Sequence, residues 1–261
     1  MRRRAQPWLG TLVDISTDAD QAAISAAFAE VALVHRLMSF HDPASDVSRL
    51  NRAGSGEVVA VHAHTWEVLR LAGEFATASQ GLFNPACAPR LVEWGSLPYP
   101  AGDVPFFQHL QAAFACEEGD FVRKLQPAWI DLGGIAKGYA VDLAVEALKH
   151  AGAANGCVNA GGDMRVFGEH RWPVSIRDPQ SPQRMHSQLQ LHNEALATSA
   201  SYFSPRSLVD GRDGALLTLS HSVSVRAPRC VVADAMTKVV MASGEPSLPV
   251  LAQWQAAAFI I

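Results

Sequence analysis

The chain has 261 residues, of which 49% are apolar and 18% charged, and a formal net charge of −4. That length supports one large domain or two small ones with a real core, and the composition is that of a folded protein, not a disordered one. The acidic balance, with no basic run beyond Arg2-Arg3-Arg4, offers no general attraction for nucleic acid, and no apolar run of 18 residues is present to insert into a membrane.

In chain order, the first twenty residues carry a basic start but no apolar segment of signal-peptide type, so the reading is a cytoplasmic protein. Leu12–Ser16 alternates as a strand does, and Asp18 to Leu37 reads as a helix with Ile24, Phe28, Val31 and Val34 on one side. Val58–Val61 is a short predicted strand, Thr65 to Ser79 a helix stopped by Gly81, and Phe106 to Cys116 a further helix after the connector Pro98–Asp103. Leu189–Leu191 and Ala195–Ser199 read as strands, and Val250 to Ile261 as a short helix followed by an apolar strand buried in a sheet. Strands in short succession beside helices indicate an α+β plan. The expected organisation is a single domain over residues 1–261, with a smaller helical subdomain around 64–120 as the other division. Cys87, Cys116, Cys157 and Cys230 lie far apart and read as buried free thiols. His62 and His64 share the only metal-like histidine spacing, which in a loop or strand is more often incidental.

The most informative stretch is Trp129 to Gly168. Trp129–Leu132 reads as a short strand, Gly133-Gly134 as a tight turn, and Ile135 onward as an amphipathic helix with Ile135, Tyr139, Leu143 and Ala147 in line. Gly152 stops the helix, and Cys157–Ala160 restarts an extended run ending in Gly161-Gly162-Asp163. The helix start is expected to present unpaired amides and a positive dipole end, a place for a phosphate. Lys137 opposes that dipole, which suggests a lysine kept for an anion; a surface lysine beside a glycine turn is the alternative. Neither a P-loop nor a G-x-G-x-x-G fits the stretch, and no G-x-S-x-G hydrolase elbow occurs in the chain.

Asp131 to Asp142, DLGGIAKGYAVD, closely resembles the D-L-[SG]-G-I-A-K-G-Y-A-V-D signature of the ApbE family, the FAD:protein FMN transferases. The likeness extends over roughly Gly10 to Gly244. It implies T-fold-related antiparallel sheets flanked by helices, and transfer of FMN from FAD to a Thr or Ser of an acceptor flavoprotein subunit. Many such proteins are exported lipoproteins, but no lipoprotein cysteine follows the start of this chain. Leu9-Gly10-Thr11 falls where the family has Met-Gly-Thr, at the flavin. His41 falls at an aromatic position against the flavin, with a solvent-facing loop histidine as the alternative. Gly81–Ala86 resembles the family's G-x-F-D-P-T, with Asn84 for the acid and Ala86 for the hydroxyl, so the loop contact to FAD is expected through backbone amides. Trp172–Pro179 resembles the family's W-x-[VI]-x-I-x-D-P strand. By resemblance Leu9, His41, Asn84, Pro85, Ala86, Asp131, Lys137 and Leu208 contact FAD.

The resemblance also implies magnesium, held by Gly134, Asp234 and a hydroxyl four residues after Asp234. Here that fourth position is Lys238, and Thr237 stands one residue earlier. Two arrangements are open: Lys238 takes the metal's place and pairs with Asp234, or Lys238 points to solvent and Thr237 ligates the metal. The family's histidine is Ser207 here, leaving no evident catalytic base, and its T-S-G-D-Y segment reads Thr198-Ser199-Ala200-Ser201-Tyr202. A flavin-binding protein without transferase activity is therefore the competing functional class.

Overall fold

The arginine-rich start of the chain is a strand, although its composition gave no such expectation. In the computed structural model, which describes residues 1–100, 102–109, 111–181, 183–201 and 206–261, β1 (Arg2–Trp8) returns through Leu9-Gly10 into β2 (Thr11–Thr17), with Trp8 opposite Thr11. Leu9 and Gly10 have φ of 57° and 71°, the hairpin turn whose twist matches the flanking strands. β1 is one edge of the main sheet, and cations along it discourage pairing with another chain. Arg3 is held by Asp14 at 2.7 Å.

Next come α1 (Gln21–Met38), capped by the Asp20 carboxylate on the Ala23 amide at 2.9 Å, and α2 (Asp46–Arg52), capped by Ser45 on Ser48 at 3.0 Å. β3 (Val58–Ala60), α3 (Ala63–Ala78) and α4 (Ala88–Glu93) follow. β4 (Phe114–Glu117) and β5 (Phe121–Lys124) complete a three-stranded sheet in the order β3-β5-β4. Then come α5 (Ala136–His150), β6 (Gly156–Ala160), β7 (Asp163–Phe167), β8 (Trp172–Arg177), β9 (Met185–Leu191), β10 (Ala195–Ala200) and β11 (Ser222–Ala227). The chain closes with α6 (Cys230–Ser243), α7 (Pro249–Gln253) and β12 (Ala257–Ile260).

The main sheet is antiparallel throughout, in the order β1-β2-β6-β7-β10-β11-β12, so the α+β reading holds. One face packs on α5 and α6, with α1 laid over α5. Alternation along β7 divides its side chains: Phe167 joins the helical core, while Met164 and Val166 form a second, smaller core with Ile176, Leu191 and Leu196. The β8–β9 hairpin supplies Ile176 and Leu191 to that second core.

Four local expectations need correction. Among the described residues of 106–116 there is no helix; Phe114–Glu117 instead pairs along β5, burying Phe114 on the core. Trp129, Ile130 and Leu132 are buried, but among the described residues the segment pairs with no strand. Its backbone is held by side chains: the Asn51 carboxamide accepts from Ile130 N at 2.7 Å and donates to Ile130 O at 2.9 Å, while Asp131 N donates to Pro85 O at 2.9 Å. β12 lies at the sheet edge, not inside it, and its residues are half-buried or exposed. Of the four free cysteines only Cys230 is buried; the other three are half-buried.

Behind the Trp129 segment sits a fully buried lysine that, among the described residues, is paired with no carboxylate. The Lys124 ammonium donates to the carbonyls of Leu50, at 3.2 Å, and Ala128, tying α2 to the strand-like segment. Burial lowers its pKa to about 8. Below pH 8 the lysine is charged in both folded and unfolded chains; between about 8 and the unfolded value the unfolded chain binds more protons. Stability relative to a Lys124→Met variant should therefore rise by roughly 3 kcal/mol as pH climbs from 8 to 10.5. Urea unfolding of both proteins across that range measures it; a flat difference would show the ammonium as well solvated as in water.

Candidate active site

Neither α5 nor α6 caps its own N-terminus with a side chain, because each is capped by the other. Asp142, two turns into α5, accepts from the amides of Cys230 at 2.9 Å and Val231 at 3.0 Å, the first two residues of α6. Asp234, inside α6, returns the favour by accepting from Gly138 N at 2.9 Å in the first turn of α5. Such close crossing explains the glycine: a Cβ at Gly138 would lie 2.3 Å from the Cys230 carbonyl oxygen. The Ile135 and Ala136 amides are also taken, by Leu132 O at 3.0 and 2.8 Å. The expected row of unpaired amides is therefore replaced by an internal carboxylate.

The helix is also buried more widely than its four-residue stripe predicts. Ala136, Gly138, Ala140, Val141, Ala144 and Val145 are buried while Leu143 and Ala147 are only half so, since α1, α6 and the sheet all pack on it. Asp142, off the line of Ile135, Tyr139, Leu143 and Ala147, is also buried, and it pairs with Arg165 of β7 at 3.0 Å.

Lys137 leans from α5 across the turn before β7, ion-paired with Asp163 and 3.9 Å from Asp234 Oδ1. From α6, Lys238 pairs with the same Asp234 Oδ1 and donates to the Asp234 carbonyl at 3.0 Å. The result is a floor of two buried carboxylates and two part-exposed ammonium groups. Burial opposes charge on Asp234, but Lys137, Lys238 and the Gly138 amide outweigh it and hold its carboxyl below the ordinary value. Burial, with Asp234 next to it, pushes Asp163 up despite Lys137. Burial works against charge on Lys137 as well, yet the two aspartates hold its pKa above the ordinary lysine value.

This floor closes one end of a cavity of about 1130 Å³. Its walls come from the Leu9-Gly10 turn, the end of α1 through His41, the Leu82–Asn84 loop, Asp131 to Lys137, Ser207–Val209, and the inner face of the β8–β9 hairpin through Val174, Ile176 and Met185. Leu9, His41, Asn84, Asp131, Gly134, Lys137 and Leu208 thus share one cavity. His41 is exposed at its mouth. Asp131 is held at the cavity wall, its pKa raised by burial against the opposing pull of the Gly133 amide and His41. Pro85, Ala86, Asp234 and Thr237 are not in the lining. Pro85 turns its carbonyl to Asp131 N, and the Ala86 amide is occupied by Asn84 Oδ1 at 2.8 Å. Asn84 Nδ2 donates to Gly211 O at 3.0 Å, so the carboxamide clamps this loop to the Asp210 turn, a donor role an acid could not fill. The Ala86 amide expected to meet FAD is thus hydrogen-bonded within its own loop. The Thr198-to-Tyr202 segment is described through Ser201, and Tyr202 lies outside the described residues.

A sequence profile of the ApbE family matches residues 9–260. The chain belongs to the ApbE family. It is 29% identical over 272 residues to a FAD:protein FMN transferase of Rhodobacter capsulatus, covering 93% of this chain and 51% of that one. A FAD:protein FMN transferase of Vibrio cholerae is 29% identical over 241 residues, covering 81% and 70%. The chain therefore spans about half the length of the first relative and more of the second. The solved flavin transferase ApbE from Vibrio cholerae superposes with a TM-score of 0.86 at 25% identity, over 100% of this chain and 93% of that one. An ApbE protein from Thermotoga maritima gives 0.81 at 24% identity over 100% and 94%.

The magnesium implied by the ApbE resemblance does not fit the residues as they stand. Asp234 Oδ1 carries the Lys238 ammonium and Oδ2 carries the Gly138 amide. The buried Thr237 hydroxyl is hydrogen-bonded to Asp234 O and to Ser199 Oγ, each at 2.7 Å. Lys238 Cε lies 3.6 Å from where a Cβ on Gly134 would be, so the side chain runs across that ApbE turn. A divalent ion ~4 Å from one ammonium at an effective dielectric near 20 would meet roughly 8 kcal/mol of repulsion before solvation. Among the described residues no cluster of three or more His, Cys, Asp or Glu is placed to hold a metal. Among the described residues, likewise, no helix is long and apolar enough to cross a membrane.

Sequence reasoning missed Asp142, Asp163, Ser199 and the hairpin wall. Asp163 carried a faint signal, an acid directly after a glycine pair. Ser199 and the first hairpin strand lay in segments that carry the resemblance, but no pattern pointed to their partners: Thr237 is 38 residues from Ser199, and the hairpin packs on residues of β7 and β10.

Proposed function

We propose that this chain binds FAD in the cavity above the lysine floor and acts as a FAD:protein FMN transferase. A hydroxyl of an acceptor protein attacks the FMN phosphorus; the new O–P bond forms as the anhydride breaks, AMP departs and the hydroxyl proton passes to solvent. The observation that carries this reading is the cavity's polarity. Leu9, Leu208 and His41 offer an apolar and ring-stacking wall, while Lys137 and Lys238 meet the same space with positive charge. A flavin ring needs the first and a diphosphate the second. Asp131 is poised to accept a hydrogen bond from the flavin or adenine edge. Ser207 stands at the ApbE histidine position, so turnover lacks a base there and is expected to run about 10²–10⁴-fold below a histidine-assisted rate.

Incubation with FAD and an acceptor carrying a flavinylation threonine, followed by in-gel fluorescence, tests this. A slow covalent band is the expected result. FAD binding without a band would leave a flavin-binding protein, and absence of FAD binding would remove the reading altogether.

Leu9 gives an independent check. A leucine at φ 57° is strained by roughly 1–2 kcal/mol. Leu9→Gly relieves that strain while losing a partly buried contact, so stability should stay within about 1 kcal/mol of wild type. FAD affinity should fall several-fold, because the ring loses its wall. A large stability loss with unchanged FAD affinity would assign Leu9 to the core instead.

A further inference from the structure

A lysine that crosses a cavity floor and bonds a buried aspartate on a neighbouring turn is a costly arrangement for a mere surface charge. Lys238 has only 19% of its side chain exposed, and it lines the cavity beside Lys137 and Gly134. An ammonium has three protons. Two of Lys238's interactions are directed at Asp234, to Oδ1 and to the carbonyl oxygen at 3.0 Å, which leaves a donor for the cavity side. The same Asp234 oxygen that would ligate a metal is thereby neutralised, and Thr237 is turned away to Ser199.

We infer that Lys238 is a built-in cation: its ammonium stands where a divalent ion would sit, and this chain binds a dinucleotide's diphosphate without metal. The inference rests on the FAD reading above. Lys137 and Lys238, anchored on Asp163 and Asp234, present two fixed positive groups to the diphosphate. Since each is tethered, no ion has to be recruited from solution, and affinity for the dinucleotide is independent of magnesium concentration. Both Asp234 carboxylate oxygens and the Thr237 hydroxyl are already hydrogen-bonded, so a divalent ion would have to displace Lys238 to reach them.

The test follows FAD by fluorescence anisotropy in EDTA and in millimolar magnesium, with bound Mn²⁺ read separately by electron paramagnetic resonance. Wild-type affinity should agree between the two conditions within about twofold, with no protein-bound Mn²⁺ signal. Lys238→Thr should bind FAD about tenfold more weakly in EDTA, the loss of one charge-assisted hydrogen bond, recover in magnesium, and acquire bound Mn²⁺. Lys238→Arg, which keeps the charge, should remain metal-independent. Wild-type affinity that rises tenfold or more with magnesium, or a wild-type Mn²⁺ signal, overturns the inference, and so does a Lys238→Thr variant indifferent to metal. Should neither protein bind FAD under any condition, the FAD reading fails on its own account. Mn²⁺ on the flavin-free proteins then decides Lys238: binding to Lys238→Thr alone upholds its role, and equal behaviour overturns it.

Discussion

Asp142→Ala should lower the unfolding free energy by roughly 3 kcal/mol. The side chain caps α6 from outside that helix, accepting from Cys230 and Val231, and caps of this kind contribute about 1 kcal/mol each. A carboxylate at a helix N-terminus adds a favourable interaction with the helix dipole. Arg165, 3.0 Å away and mostly buried, would be left with Glu146 at 3.1 Å, and Arg229 would lose its 3.7 Å contact. Asp142→Asn keeps an acceptor but not the charge, and should cost about half as much. Urea unfolding measures both, and hydrogen exchange at Cys230 and Val231 locates the effect. A loss below ~1 kcal/mol, or unchanged protection at those amides, would mean α6 is held by its apolar face alone.

Lys137→Met should cost ~3–5 kcal/mol at pH 8, the usual penalty for leaving a buried charge without its partner. Asp163 and Asp234 are both almost wholly buried, and Lys137 reaches both. In the variant Lys238 still serves Asp234, so Asp163 is the stranded group. Its pKa already stands above the ordinary aspartate value through burial and the neighbouring carboxylate, and losing Lys137 raises it further. The folded variant then binds a proton that the unfolded chain releases near pH 4. Stability should therefore rise as the pH is lowered from 8 toward 4, whereas the wild type shows this slope only weakly. A loss at pH 8 with no recovery on acidification would point to lost packing of the lysine stem, and would remove Asp163 from the account.

The elements legible in the sequence were those fixed by local pattern. The alanine-rich run read from Asp18 to Leu37 declares α1, observed at Gln21–Met38, and Gly133-Gly134 ahead of Ile135 declares α5 to within a residue. The cavity was legible through residue types repeated from the ApbE signature, not through any periodicity. What failed depended on distant partners. Phe106–Cys116 has a helical distribution of apolar residues, yet Phe114 and Cys116 gain more by lying along β5. Trp129–Leu132 reads as a strand because it is a short, partly apolar run, but in place of a ladder its backbone is held by the Asn51 carboxamide and the Pro85 carbonyl. Arg2-Arg3-Arg4 reads as a basic tail until Thr17, Ser16 and Ile15 are seen opposite it. At the site, Lys238 beside Asp234 was visible as a four-residue spacing on a helix. Asp234 as the cap of α5 was not, because the amide it serves is 96 residues earlier.

The exchange of caps between α5 and α6 also bears on how the chain is made. Residues 136–150 leave the ribosome long before residues 230–243, so during synthesis α5 waits with its opening turn unsupported. The lysine floor is likewise half absent until α6 arrives, because Lys238 and Asp234 are both on it. A nascent chain halted before Cys230 therefore has neither a finished central helix nor a complete floor to the cavity. Docking of α6 is the event that completes both at once.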